Sequence, residues 1–110
     1  MKMKKYHVTG YPGKSTDSPY DAIRTWYRLE PKDRTCCAIL AYTWADAKEL
    51  LEFAQRNKRF IHLMHQEYKS SYKEDWILES IDKALEDDGR YFIEGPYDFC
   101  MDSIHPFCCG

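Results

Sequence analysis

The sequence predicts an α+β fold, with a small antiparallel sheet packed against two main helices. Three observations predict it. The first third of the chain alternates apolar and polar residues in short runs broken by turn signals, the pattern of strands. The middle carries stretches whose apolar residues recur at helical spacing. At 110 residues, with 44% hydrophobic and 15% aromatic content, the chain has material for one hydrophobic core and no more. Residues 1–110 are therefore expected to form one compact α+β domain.

Lys4 to Tyr11 reads as a first strand, with Tyr6, Val8 and Gly10 on one face and Lys5, His7 and Thr9 on the other. The stretch Pro12-Gly13-Lys14-Ser15-Thr16-Asp17-Ser18-Pro19 reads as a loop, since nearly every residue in it favours turns. Tyr20 to Glu30 carries two signals. Ser18 as N-cap with Pro19 at the first helical position would start a helix. Ile23, Thr25, Tyr27 and Leu29 alternate with Arg24, Trp26, Arg28 and Glu30 as in a strand. The alternation decides the expectation: a short helical start near Asp21, then a strand from Ile23 to Glu30. Pro31-Lys32-Asp33 turns the chain, and Thr35 to Tyr42 returns as a buried strand, completing a three-stranded N-terminal meander.

Thr43 opens a helix, with Asp46 three residues on as an approximate capping box. Trp44, Ala47, Leu50, Leu51, Ala54, Ile61, Met64 and Tyr68 continue its stripe, which weakens at Asn57-Lys58. That leaves one long helix or two with a break. Tyr72 to Asp88 is the next helix, with Trp76, Ile77, Ile81, Ala84 and Leu85 as its apolar stripe and Gly89 as its C-cap. Arg90 to Glu94 is expected as a short late strand, and residues 96–110 as an irregular tail packed on the domain.

The net charge of −2 hides an asymmetry. Residues 1–34 carry eight Lys/Arg against four Asp/Glu, whereas residues 70–110 carry three against ten. Asp75, Glu79, Asp82 and Glu86 follow i, i+4, i+7 and i+11, which puts four carboxylates in one helical stripe beside the apolar face. Asp87 and Asp88 fall at the C-terminal end, where the helix dipole opposes negative charge by on the order of a few tenths of a kcal/mol each. Such a ridge suits a partner protein with a basic surface and repels phosphates, which argues against nucleic-acid binding through this helix. Tyr72 and Trp76 stand beside it as possible apolar anchors. The basic side is a second, weaker candidate. Lys2, Lys4, Lys5 and Lys14, with Arg24 and Arg28 beside Trp26 on the expected outward strand face, could hold a phosphate or an RNA strand.

Candidate chemistry is sparse. Cys100, His105, Cys108 and Cys109 are zinc-ligand types within ten residues, although zinc sites usually use two separated short-spaced pairs. His62 and His65 lie one helical turn apart, and His65 falls on the apolar side, where packing explains it. Gly13-Lys14-Ser15 follows a strand, but Val8 stands where a P-loop needs its first glycine and Pro12 interrupts the cradle. The five cysteines include the adjacent pairs Cys36-Cys37 and Cys108-Cys109, a poor disulfide framework, which favours a reduced, cytoplasmic setting. The basic start lacks an apolar core of a signal peptide. The longest apolar run, Cys36 to Tyr42, is far short of the about 20 residues that span a membrane.

Nine Tyr and three Trp are a large aromatic allotment, and Tyr11, Tyr20, Trp26, Tyr72 and Tyr97 fall in loops or on expected outward faces. Such side chains dominate binding hot spots. In size, aromatic content and acidic helix the chain is similar in kind to small inhibitors encoded by phages and mobile elements, anti-CRISPR proteins among them. The similarity covers no aligned stretch and transfers no residues. The leading expectation is a non-enzymatic, cofactor-free cytoplasmic binding module that inhibits or regulates a larger partner through Asp75, Glu79, Asp82, Glu86, Tyr72 and Trp76. The second is a zinc-stabilised module using the tail ligands. The third is a small enzyme or ligand-binding domain built on the His7, Thr9 and Tyr11 strand end with the Gly13-to-Asp17 loop.

Overall fold

The computed structural model describes residues 4–9, 13–30, 37–68, 74–86 and 97–99, of which 74–77 and 97–99 are described by backbone alone. In chain order the elements are β1 (Tyr6–Val8), β2 (Lys14–Thr16), α1 (Pro19–Tyr27), β3 (Ile39–Ala41), α2 (Trp44–Arg56), α3 (Lys58–Glu67), α4 (Glu74–Glu86) and β4 (Tyr97–Phe99). The strands form one antiparallel sheet in the order β2-β1-β3-β4. The α+β class is as the sequence predicts.

The main correction concerns Ile23 to Glu30, which is not a strand: Pro19–Tyr27 is helical. Ser18 caps it in an extended conformation, its Oγ accepting from the Asp21 N–H at 3.2 Å, and Pro19 takes the first turn, where its missing N–H costs nothing. A strand would send Trp26 and Tyr27 to opposite faces. The helix buries both on one stripe with Ala22 and Ile23, and that burial outweighs the period-two alternation. Trp26 is therefore in the core, and its indole N–H donates to the Cys37 carbonyl at 2.9 Å.

The sheet is consequently not a meander. The second strand comes from the expected loop, where Lys14–Thr16 pairs with β1 in the register Tyr6 with Thr16, His7 with Ser15 and Val8 with Lys14. β3 pairs on the other side of β1, so β1 is central and α1 connects two parallel strands that flank it. α1 packs on β1, β2 and β3 as it crosses. The late strand expected at Arg90 to Glu94 lies outside the described residues. Within the stretch expected to be an irregular tail, Tyr97–Phe99 instead pairs with β3. That pairing satisfies the backbone groups along an edge of β3 that would otherwise stand open.

The Asn57 question resolves as two helices. Thr43 caps α2 through a 3.1 Å bond from the Asp46 N–H to its Oγ1. At the other end Asn57 leaves helical geometry (φ −119°, ψ 50°), and its side-chain amide donates to the Phe53 carbonyl at 2.8 Å. The chain restarts at once as α3, with Ile61, Met64 and His65 turned inward.

The core gathers Tyr6 and Val8 of β1, Ile39 and Ala41 of β3, the α1 stripe, Leu50 and Leu51 of α2, Ile61 of α3 and Ile81 of α4. Alternate sheet residues face away from it, His7 among them. Tyr6 is fully buried and donates its hydroxyl to the Asp46 carbonyl at 2.8 Å. Burial, reinforced by Glu49 and Asp46, pushes its phenol well above the ordinary range. The unfolded phenol loses its proton near pH ~10, while the folded one keeps it. The stabilisation is thus complete below that pH and drains away above it. In thermal melts from about pH 8 to about pH 11, wild-type stability falls more steeply than that of Tyr6→Phe. Parallel curves would contradict the burial of a neutral phenol.

Candidate functional site

The acidic face of α4 is the site the charge pattern singles out. Ile81 and Ala84 are buried, and Leu78 and Leu85 pack against the same core, which fixes the helix's rotation. Glu79 and Glu86 are then exposed on the opposite side, two turns apart, with Lys83 exposed between them. Asp82 takes the flank, half-buried, where its carboxylate accepts from the Gln55 side-chain amide of α2 at 2.8 Å. That bond anchors one acid of the stripe and couples α4 to its neighbour, leaving Glu79 and Glu86 to face solvent. Asp75 and Trp76 belong to α4 by backbone, and Tyr72 lies outside the described residues.

The basic candidate does not assemble as expected. Trp26 is buried, so it cannot offer a stacking face beside Arg24 and Arg28. Those arginines lie one turn apart, Arg24 in α1 and Arg28 as its C-cap: Arg24 lies 6.0 Å from the Tyr20 ring centroid, and Arg28 donates to the Tyr68 hydroxyl at 3.4 Å. Lys5 is bonded to Glu49 at 2.9 Å, and that carboxylate raises the lysine's proton affinity. Asp17 accepts from the Lys5 backbone N–H at 2.9 Å and lies 3.4 Å from the Lys4 ammonium. Those contacts, the backbone bond first, hold its carboxyl below the usual range. Lys4 and Lys5 are thus engaged with carboxylates. Lys2 lies outside the described residues.

The proposed zinc ligands Cys100, His105, Cys108 and Cys109 also lie outside the described residues; among the described ones, no group of three or more His, Cys, Asp or Glu is placed to hold a metal. His62 is exposed while His65 is buried against Tyr27, so the two do not share a site. Cys37 is buried, in keeping with packing as a small hydrophobe. No described helix is long and apolar enough to cross a membrane.

Two arrangements take their shape only in three dimensions. Tyr20, 42% exposed, stacks on Phe60 at 4.8 Å and meets Phe53 edge-on at 6.4 Å. Its cue was the Ser18-Pro19 helix start, which places Tyr20 and Arg24 one turn apart. The nearby groove of about 420 Å³ is lined by Pro19, Glu49, Glu52, Phe53 and Arg56, and Arg56 is 3.6 Å from Glu52. The second feature is a shallow depression of about 280 Å³ on the sheet, lined by Lys4, His7, Ser15 and Tyr42. Its His7 and Ser15 belong to the strand end and loop of the third expectation, and the β1–β2 register sets them opposite each other.

No known protein family, no characterised protein and no solved structure matches this chain.

Proposed function

We propose that the chain is a small protein-binding module that inhibits or regulates a larger partner by laying the acidic face of α4 against a basic surface. The observation that carries this reading is the orientation of α4: with Ile81 and Ala84 buried, Glu79 and Glu86 face solvent without contributing to the core. Exposed acids of this kind add nothing measurable to stability and are suited to steering and partner choice. Small size, an exposed charged helix and a separate exposed aromatic at Tyr20 fit recognition by surface contact. Under this reading the tail cysteines act as thiols and no cofactor is needed.

The test uses the full chain as bait in a lysate of its source cell, beside Glu79→Lys/Glu86→Lys. The partner retained by wild type is lost or weakened about tenfold or more in Kd by the double variant, since like charges then face the basic surface. The variant's thermal melt stays within about 0.5 kcal/mol of wild type, because both positions are exposed. Equal retention by the two baits would refute the assignment.

A further inference from the structure

We propose that Ser15 and His7 form a nucleophile–base pair that accepts acyl groups from activated esters. The site is on the sheet and independent of the α4 reading. His7 is the middle residue of β1 and Ser15 the middle residue of β2, and the register sets them directly opposite. Cross-strand partners hold their Cβ atoms about 5 Å apart. Here the Ser15 Oγ and His7 Nδ1 are 2.9 Å apart, within the reach a general base needs. Ser15 is exposed, so a substrate carbonyl can approach it.

The pair has a defined setting. It lines the depression of about 280 Å³ together with Lys4 and Tyr42, an ammonium and a phenol able to donate to developing negative charge. Lys4 is 3.4 Å from Asp17, an exposed pair weak enough for the side chain to leave. A Cβ at Gly13 would stand 2.9 Å from His7 Cε1 and 3.0 Å from Nε2, so a side chain there would push the imidazole aside. The bare backbone at Gly13 leaves the ring room to keep Nδ1 at the Ser15 hydroxyl.

The step balances without a further reactant. Ser15 Oγ bonds to the ester carbonyl carbon as its proton passes to His7 Nδ1. The tetrahedral oxyanion collapses, breaking the bond to the leaving oxygen, and the imidazolium returns the proton to that oxygen. The products are acyl-Ser15 and an alcohol or phenol. His7 requires the tautomer with its proton on Nε2 before the attack.

The experiment treats the folded full chain with p-nitrophenyl acetate and follows acetylation by peptide mass mapping, with fragmentation to separate Ser15 from Ser18. Ser15 acetylates faster than Ser18, and faster than Ser15 itself in urea-unfolded chain. His7→Gln slows acetylation of Ser15 about 100-fold, and Gly13→Ala slows it in the same direction by displacing the ring. Thermal melts verify that the variants fold; if His7→Gln does not, the native-against-unfolded comparison decides. Label confined to lysine amines, equal rates for Ser15 in native and unfolded chain, or an unchanged rate in a folded His7→Gln would each overturn the proposal.

Discussion

Trp26→Ala lowers the stability of the fold by about 3–5 kcal/mol, the largest effect expected of any single substitution described here. Trp26 is fully buried on the inner stripe of α1 and meets the Tyr27 ring edge-on at 5.2 Å. Removing the indole takes away its transfer free energy and leaves a cavity that α1, lying across three strands, cannot collapse to fill. It also strips the Cys37 carbonyl of an indole donor held at 2.9 Å. Against a total of about 5–15 kcal/mol for a chain of this size, the loss brings the protein close to unfolding. Urea titration checks it: the midpoint falls while the slope stays constant. Trp26→Phe keeps most of the apolar volume and loses the N–H, and costs about 1–3 kcal/mol. A Trp26→Ala loss below about 1 kcal/mol would mean that the segment is not the buried helix described.

Tyr27→Phe has the next largest effect, about 1–3 kcal/mol. The Tyr27 hydroxyl and His65 Nδ1 lie 2.7 Å apart in a buried setting, joining α1 to α3. The rings also meet edge-on at 5.5 Å, and Tyr27→Phe preserves that contact. The variant therefore isolates the polar link and leaves Nδ1 without the tyrosine hydroxyl, away from water. A double-mutant cycle with His65→Gln yields a coupling of about 0.5–3 kcal/mol, read from urea midpoints. Additive losses would show that the two side chains do not share a bond that matters to stability.

Much of the helical layer was legible. Thr43 with Asp46 announced α2, and the Leu50, Leu51 and Ala54 stripe fixed its inner face. The weakening at Asn57 was visible as a break of unknown kind; the side-chain bond to Phe53 that turns it into a restart is a matter of local geometry. Ile81 and Ala84 were enough to orient α4, and with it Glu79 and Glu86. The sheet was harder. Each strand has three residues, too few for a period to emerge, and β2 is built from Lys-Ser-Thr inside a run of turn formers. Its strand character comes from pairing with β1, a long-range effect that propensity does not encode.

The α1 segment shows two true signals in conflict. Ser18-Pro19 marked the helix start, and Ile23, Thr25, Tyr27 and Leu29 mimicked a strand. The tie was broken by burying Trp26 and Tyr27 together, which only the helix allows. The same event changed the meaning of the aromatic content. Tyr6, Trp26 and Tyr27 are core residues, while Tyr20 and Tyr42 are exposed. Aromatic abundance thus reported a core as well as a surface. Of the acidic stripe, Glu79 and Glu86 are exposed and Asp82 is half-buried on the flank. The sequence set His7 beside the Gly13-to-Asp17 loop, but the pairing of His7 with Ser15 in particular needs the hairpin register.

The proposed function stands or falls on contact between the acidic face of α4 and a basic partner. The most direct measurement is the Kd for the partner captured by the wild-type chain, taken as salt is raised, for wild type and for Glu79→Lys/Glu86→Lys. Charge-complementary docking predicts that wild-type binding weakens about tenfold from low salt to roughly 0.5 M as the Debye length contracts. The double variant binds more weakly at low salt and shows a flattened or reversed dependence. A wild-type affinity indifferent to salt, or a double variant that binds as tightly as wild type throughout, would contradict it.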